Sequence, residues 1–415
     1  MLCDSGAIFL AAQRPMLSKV CMPKLFTADF LRLTGGQFLH SFGFSAMPLL
    51  PVYLGWLGAS REEIGQIMAA AAVGGLLCRP VVGWALDRFG RRSILIIGSI
   101  MSMLALVMVG LIDTVGPLAY CVRFLFGMGE GALFTGYFAF ASDIIPEERR
   151  TEGLAIFGIF GLIPIAINPV VGGLGFEVAE LRYYFPLLAL LLLSSIVVIW
   201  PLRERVRAED RPPFVVGDVL RALGARRLWS VWFATSVFAA LVSVFMTFAT
   251  VSAEARGISS PSLFWLTYGT GAVGVRLFGA RIPDRVGPSN LLAPSLGLYG
   301  LAFVLLSSAS DLSTFLVAGL LAGLGHGYCF PVLVSQVVSR MADTMRGSAI
   351  AMFTALWEVA ALWAGPVFGR YADYHTDGAM FSLVGLGALG GLIVWVFLEH
   401  VSERNLTRTF VGELV

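Results

Sequence analysis

Apolar residues run through this chain in long unbroken stretches, and the polar residues are confined to short gaps between them. Twelve stretches fall at approximately 27–54, 62–86, 93–112, 117–141, 151–175, 183–202, 229–252, 261–282, 289–309, 312–338, 346–370 and 378–398. A bilayer's hydrocarbon core is about 30 Å thick, which an α-helix crosses in about 20 residues, so each stretch predicts one membrane-spanning helix. The stretches are continuous rather than alternating, which leaves no polar lumen face and excludes a spanning β-barrel. The longest polar segment, Arg203 to Arg227 with Pro212-Pro213 at its middle, separates the sixth stretch from the seventh. The expected organisation is a tail at 1–24, a six-helix bundle at 25–202, a linker at 203–228, a second six-helix bundle at 229–399 and a tail at 400–415. Within the linker, Val215–Leu223 is read either as solvated chain or as a short amphipathic helix on the membrane surface.

The two bundles are copies of one another. Arg79-Pro80-Val81-Val82-Gly83-Trp84-Ala85-Leu86-Asp87-Arg88-Phe89-Gly90 returns as Arg276-Leu277-Phe278-Gly279-Ala280-Arg281-Ile282-Pro283-Asp284-Arg285-Val286-Gly287, and 276 − 79, 284 − 87 and 287 − 90 all equal 197. Gly127-Met128-Gly129-Glu130-Gly131 in the fourth span answers to Gly323-Leu324-Gly325-His326-Gly327 in the tenth, where 326 − 130 is 196. Direct duplication of halves predicts a pseudo-two-fold axis along the membrane normal.

Composition agrees with a lipid-facing exterior. The chain is 57% hydrophobic and 13% charged, about half the charge of a soluble domain. Net charge is only +2, which gives no reason to expect a nucleic-acid partner. Arginines and lysines collect in one alternate set of loops and termini (Lys24, Arg88, Arg91, Arg92, Arg149, Arg285, Arg340 and Arg404 among them), while acids prevail in the other set. By the positive-inside rule both termini are expected in the cytoplasm, at the inner membrane if the source is bacterial. The five cysteines lack metal-ligand spacing, and no GxxxxGK[ST] loop is present, so neither a metal, a cofactor, an enzymatic activity nor ATP-driven pumping is expected.

The duplicated motifs resemble those of the major facilitator superfamily, along the whole chain. Gly83-x-x-x-Asp87-Arg88-x-Gly90-Arg91-Arg92 is similar to its motif A, and Arg123-x-x-x-Gly127-x-Gly129-x-Gly131 to its fourth-span motif B. Asn168-Pro169-Val170-Val171-Gly172-Gly173 resembles the end of motif C of drug:proton antiporters, although Asn168 stands where that motif has glycine. The resemblance implies an all-α fold of twelve spans in two pseudo-symmetric halves, and alternating access as a monomer. It further implies an inner gate in which Asp87 meets the N-terminus of the eleventh span and Arg91 or Arg92 pairs with Asp143, with Asp284 and Arg285 as the second copy. It places the fourth and tenth spans on the cavity, and gives Arg123 a part in proton relay.

The chemistry-bearing residues are read on that frame. Glu130 and His326 lie at the midpoints of their spans, where a charge is expensive unless it is paired, protonated or hydrated; the repeat predicts that they face each other across the cavity as a proton-coupling pair. Each has a plain alternative, a structural hydrogen bond for Glu130 and a satisfied core position for His326. Glu358, midway along the eleventh span, is a third proton-binding candidate. Gln37, His40, Asn168, Arg276 and Trp357 are the candidate cavity residues. Arg79 and Arg276 can both snorkel to the inner surface, or Arg276 can anchor a carboxylate. The expected function is proton-coupled export of a small, partly hydrophobic solute. The alternatives are uptake or exchange of an organic anion at Arg276, and a non-transporting receptor or scaffold.

Overall fold

A computed structural model describes residues 24–146, 149–203, 216–279, 282–341 and 346–412. The first tail up to residue 23, the stretch 204–215 of the linker, and the side chains of Asp87, Asp284 and Arg346 lie outside the described residues. The described chain is helical without strands, and the twelve expected stretches are its twelve spans.

Among the described residues, ten spans contain a continuous helix long and apolar enough to cross a membrane unaided. The other two are the first and the eighth. The first runs as Ala28–Ser45, tightens to a 3-10 turn at Met47–Leu49, and resumes as Leu50–Trp56. Pro48 and Pro51 cause the break, because a proline in a helix removes an N–H donor and crowds the preceding turn. The eighth helix, Leu263–Phe278, has 16 residues and is shorter than the stretch 261–282. The twelfth continues past its expected end, as Asp377–Gly412.

Helix starts follow from local chemistry. Ser60 caps the second span, Arg61–Phe89: its hydroxyl accepts the Glu63 N–H (3.1 Å), and the Glu63 carboxylate accepts the Ser60 N–H (2.8 Å). The charged hairpins turn at Gly90 and Gly287, both at φ 85°, a left-handed conformation that glycine adopts without a Cβ clash. The same dihedral 197 positions apart carries the sequence repeat into the backbone.

Packing repeats too. In the first half, span 4 (Pro117–Ile144) packs on span 2 and on span 3 (Arg91–Val109); span 6 (Leu181–Ile199) packs on spans 3 and 1; span 5 (Arg150–Gly175) packs on span 1. In the second half, span 10 (Leu312–Ser339) packs on spans 8 and 9 (Pro288–Ser308), span 12 on spans 9 and 7 (Trp229–Ala255), and span 11 (Arg346–Tyr374) on span 7. The Gly-x-Gly-x-Gly runs make this possible: a Cβ at Gly127 or Gly323 would strike the backbone of Ala71 or Tyr268, and one at Gly129 or Gly325 would strike Gly98 or Ser295. The glycines beside Glu130 thus admit neighbouring helices.

The halves meet chiefly along two antiparallel pairs, span 2 with span 11 and span 5 with span 8. At the face away from the termini, here the distal face, these pairs draw close: Gly65 lies against Gly365, and Gly173 against Ser262. Span 1 joins there too, with Gly55 beside the Val251 side chain of span 7. The distal side is closed. The linker carries a helix at Val216–Gly224, which packs on span 11 and whose Ala222 carbonyl accepts the Trp232 indole N–H (3.2 Å).

Candidate functional site

Glu130 finds its partners inside its own half. One carboxylate oxygen accepts the Ser102 hydroxyl (3.0 Å), and the other lies 3.4 Å from His40 Nε2. The His40 ring stacks on Tyr137 (5.6 Å, 14°), whose hydroxyl bonds Ser195, which in turn donates to the Gly36 carbonyl (2.7 Å). His40 is therefore held in one orientation by a chain that ends on its own helix. His40 Nδ1, Gln37 Oε1 and the Thr34 hydroxyl are buried without a protein partner and follow one another along one face of span 1. Buried polar groups left unpaired cost about 1–3 kcal/mol each, so this stripe is a place for water or a polar solute.

His326 does not reach Glu130 in the described contacts. Its Nδ1 shares a 2.6 Å hydrogen bond with the Tyr268 hydroxyl, which also meets Tyr299 (3.1 Å), and Phe238 packs edge-on against the ring. The repeat relates the two pockets instead of joining them: Ser102 and Tyr299 are mates (299 − 102 = 197), one beside Glu130 and one beside Tyr268. Pseudo-symmetric positions occupy equivalent pockets in separate bundles, and each group finds its hydrogen-bond partners within its own bundle. Trp357 joins the second pocket through Phe238 (5.2 Å), with its indole N–H unpartnered.

Glu358 has a partner that the sequence did not reveal. The Arg79 guanidinium donates to its carboxylate (3.1 Å) and to the hydroxyl and carbonyl of Thr354 (2.7 and 3.0 Å), crossing from span 2 to span 11. Gly75 lies directly against the Glu358 carboxylate. Arg79 thus ties the halves together instead of snorkelling to the surface. Its repeat mate Arg276 meets span 5 at the equivalent place, but Gly158 stands where Thr354 stands in the other pair (354 − 158 = 196). Among the described residues no carboxylate pairs with Arg276; its Nε donates weakly to the Gly327 carbonyl (3.4 Å).

Arg123 is buried against the Met47 sulfur (2.8 Å), the Met68 carbonyl (3.3 Å) and the Phe126 ring. Its Nε is unpartnered. Asn168 is fully enclosed: its amide donates to the Phe42 carbonyl and to Ser45 (3.0 Å), and its oxygen accepts from Tyr184. That clamp on spans 1 and 6 uses up its polar atoms, so Asn168 braces the proline-interrupted span 5 and offers nothing to a cavity. Phe238, Phe245 and Phe248 are likewise core residues.

At the charged hairpin, Arg91 pairs with Asp143 (3.2 Å), and Arg92 donates to the carbonyls of Trp200 and Leu202 (3.1 and 3.2 Å). Gly83 lies in the last turns of span 2, while Arg88 and Arg285 are exposed. The Asp87 and Asp284 side chains lie outside the described residues. The second half has a junction of the same kind with the charges exchanged: Arg340, mate of Asp143 (340 − 143 = 197), is buried against Glu399 of span 12. Sequence reading missed this pair, and also the distal cluster of Arg61, Asp373 and Asp377. The spacing gave no hint, because each pair joins different helices.

Comparison with known proteins points one way. The profile of the Major Facilitator Superfamily matches residues 33–365 and 267–411. An uncharacterized MFS-type transporter of Salmonella typhimurium is 26% identical over 383 residues, covering 89% of this chain and 96% of that protein. Multidrug resistance protein 1 of Bacillus subtilis is 25% identical, covering 78% and 84%. Among solved structures, the nucleoside transporter NupG superposes with a TM-score of 0.74 at 16% identity, over 90% of this chain and 99% of that one, a likeness of fold.

Proposed function

The chain belongs to the Major Facilitator Superfamily and is a multi-pass membrane transporter, and on that premise we propose that it exports a small, partly hydrophobic solute in exchange for protons. The observation that carries the coupling is Glu130, a mid-membrane carboxylate within reach of both His40 and Ser102. A charged carboxylate left alone at that depth is costly, so it crosses between the two access states either paired or protonated. Taking up a proton on one face and releasing it on the other is what couples a proton to the change of access. Glu358, held by Arg79 across the two halves, is the second ionisable group on the path. His326, engaged with Tyr268, holds the second bundle's pocket together. The terminal face is placed in the cytoplasm, where the arginine-rich loops lie. The distal side, closed in the structure, is then the outer side. Export follows the multidrug-resistance relative and the motif C-like end of span 5.

The test is transport in proteoliposomes of the full chain. A pH gradient imposed without other energy should drive concentrative movement of members of a panel of hydrophobic cations, anions and zwitterions. Movement that only equilibrates, for every member, would remove proton coupling.

A second reading has one specific observation in its favour. Among the described residues Arg276 lacks a carboxylate like the one that neutralises its mate Arg79, so it can take the carboxylate of an organic anion. Arg276→Lys keeps the charge but loses the planar fork. On this reading it should weaken binding of anionic members of the panel about tenfold or more, as expected for a lost bidentate bond, and leave cations unchanged. Equal binding of anions by both forms would dismiss it.

A further inference from the structure

Spans 2 and 11 run antiparallel, so at the distal face the N-terminus of one meets the C-terminal end of the other. There the Asp373 carboxylate, in the last turn of span 11, accepts the backbone N–H groups of Arg61 (2.8 Å) and Glu62 (2.7 Å), the first two residues of span 2. Those groups belong to the four that every helix leaves unpaired at its start, and a carboxylate also meets the positive end of the helix dipole. Asp377, at the start of span 12, holds the Arg61 guanidinium in a fork, with Nε to Oδ1 at 3.0 Å and the terminal nitrogen to Oδ2 at 2.9 Å. The same guanidinium reaches the Val251 carbonyl of span 7 (3.5 Å). Two acids of the second half thus close on the first turn of span 2 in the first half.

The approach depends on glycine. Gly369 lies against the Arg61 carbonyl and Gly65 against Gly365, with no room for a Cβ at any of the three. Gly369-x-x-x-Asp373 also repeats, on the partner helix and at the opposite face, the Gly83-x-x-x-Asp87 of span 2. Each of the two antiparallel helices therefore ends in glycine followed four residues later by aspartate, at the end where its partner begins.

We infer that Asp373, supported by the Arg61–Asp377 fork, is the latch of the distal entrance. It is a gating group that caps span 2 while that side is closed and must let go before solute passes there. This rests on the reading of the chain as an alternating-access transporter. The two helices move with their separate halves, so the distal cap and a contact at the Asp87 end are alternatives: rocking that draws one end together parts the other.

The latch is tested on the purified full-length protein in nanodiscs, where reagent reaches both faces. The native cysteines are replaced and Val251→Cys, buried beneath the Arg61 side chain, serves as reporter. Asp373→Ala should raise the rate of maleimide labelling about tenfold or more, since two charge-assisted bonds are lost and tenfold corresponds to only about 1.4 kcal/mol. Asp373→Asn, which keeps the shape and one acceptor, should give a smaller rise and guards against misfolding of the alanine variant. Arg61→Ala should act in the same direction through Asp377. Unchanged labelling in the Asp373→Asn and Arg61→Ala variants, both eluting as folded monodisperse protein, overturns the latch. The assay needs neither solute nor pH gradient. A labelling response without proton-driven transport would leave the latch standing and remove the coupling, and the reverse result would do the opposite.

Discussion

Glu130→Gln abolishes proton-driven accumulation while sparing exchange. Glutamine is nearly isosteric, still accepts the Ser102 hydroxyl, and still fits between Gly129 and Gly131, where helices of the same half approach closely. What it lacks is a carboxyl group able to take up and release a proton at the 3.4 Å contact with His40. One pH unit is worth about 1.4 kcal/mol, so the native protein should hold about a tenfold solute gradient per unit for each proton exchanged. The variant should hold none, yet it should still equilibrate labelled solute across the membrane, because the path for solute is intact. His40→Phe keeps the stacking on Tyr137 but removes the nitrogen near Glu130; it should lower proton-driven accumulation while sparing exchange. His326→Phe should leave accumulation in place, because His326 is engaged by Tyr268 in the other bundle. Normal accumulation by Glu130→Gln would dismiss the carboxylate as the coupling group, and the remaining candidate would be Glu358.

Arg340→Met should be among the most destabilising single changes in the chain. The Arg340 guanidinium is buried at a junction of four spans. It donates to Gln336 (2.7 Å) on its own helix, to Ser230 of span 7 (3.1 Å), to Ser289 of span 9 (3.3 Å) and to both oxygens of Glu399 in span 12. Removing one partner of a buried ion pair leaves the other charge enclosed and costs about 3–5 kcal/mol, whereas replacing both by apolar groups of similar size is close to neutral. Unfolding in detergent should therefore show a large loss for Arg340→Met and for Glu399→Leu singly, and recovery of most of it in the double variant. A single variant as stable as the native protein would mean that water reaches the junction. The equivalent junction in the first half, Arg91 with Asp143, is more exposed and should tolerate the corresponding changes better.

The sequence by itself determined the number of spans, the division into halves and the two-fold relation between them. A helix that crosses lipid must be apolar for about 20 residues and must satisfy its own backbone, so each span is written locally. The charged hairpins were equally local, and Gly90 and Gly287 adopt the same φ because each turn needs it. Identity of the chemistry-bearing residues was legible as well, since Glu130, His326, Glu358 and Arg276 stand out against apolar surroundings. Their partners were not. The repeat paired Glu130 with His326 in register, but a two-fold axis maps one pocket onto another without naming the contacts inside either, and only the tertiary structure set His40 beside Glu130. Arg79 and Glu358 lie on different bundles, 279 positions apart. Arg61, Asp373 and Asp377 meet only because spans 2 and 11 run antiparallel across the interface between the halves. Contacts of this kind depend on which helix faces pack and at what depth, and side-chain packing between helices settles both after each span has formed.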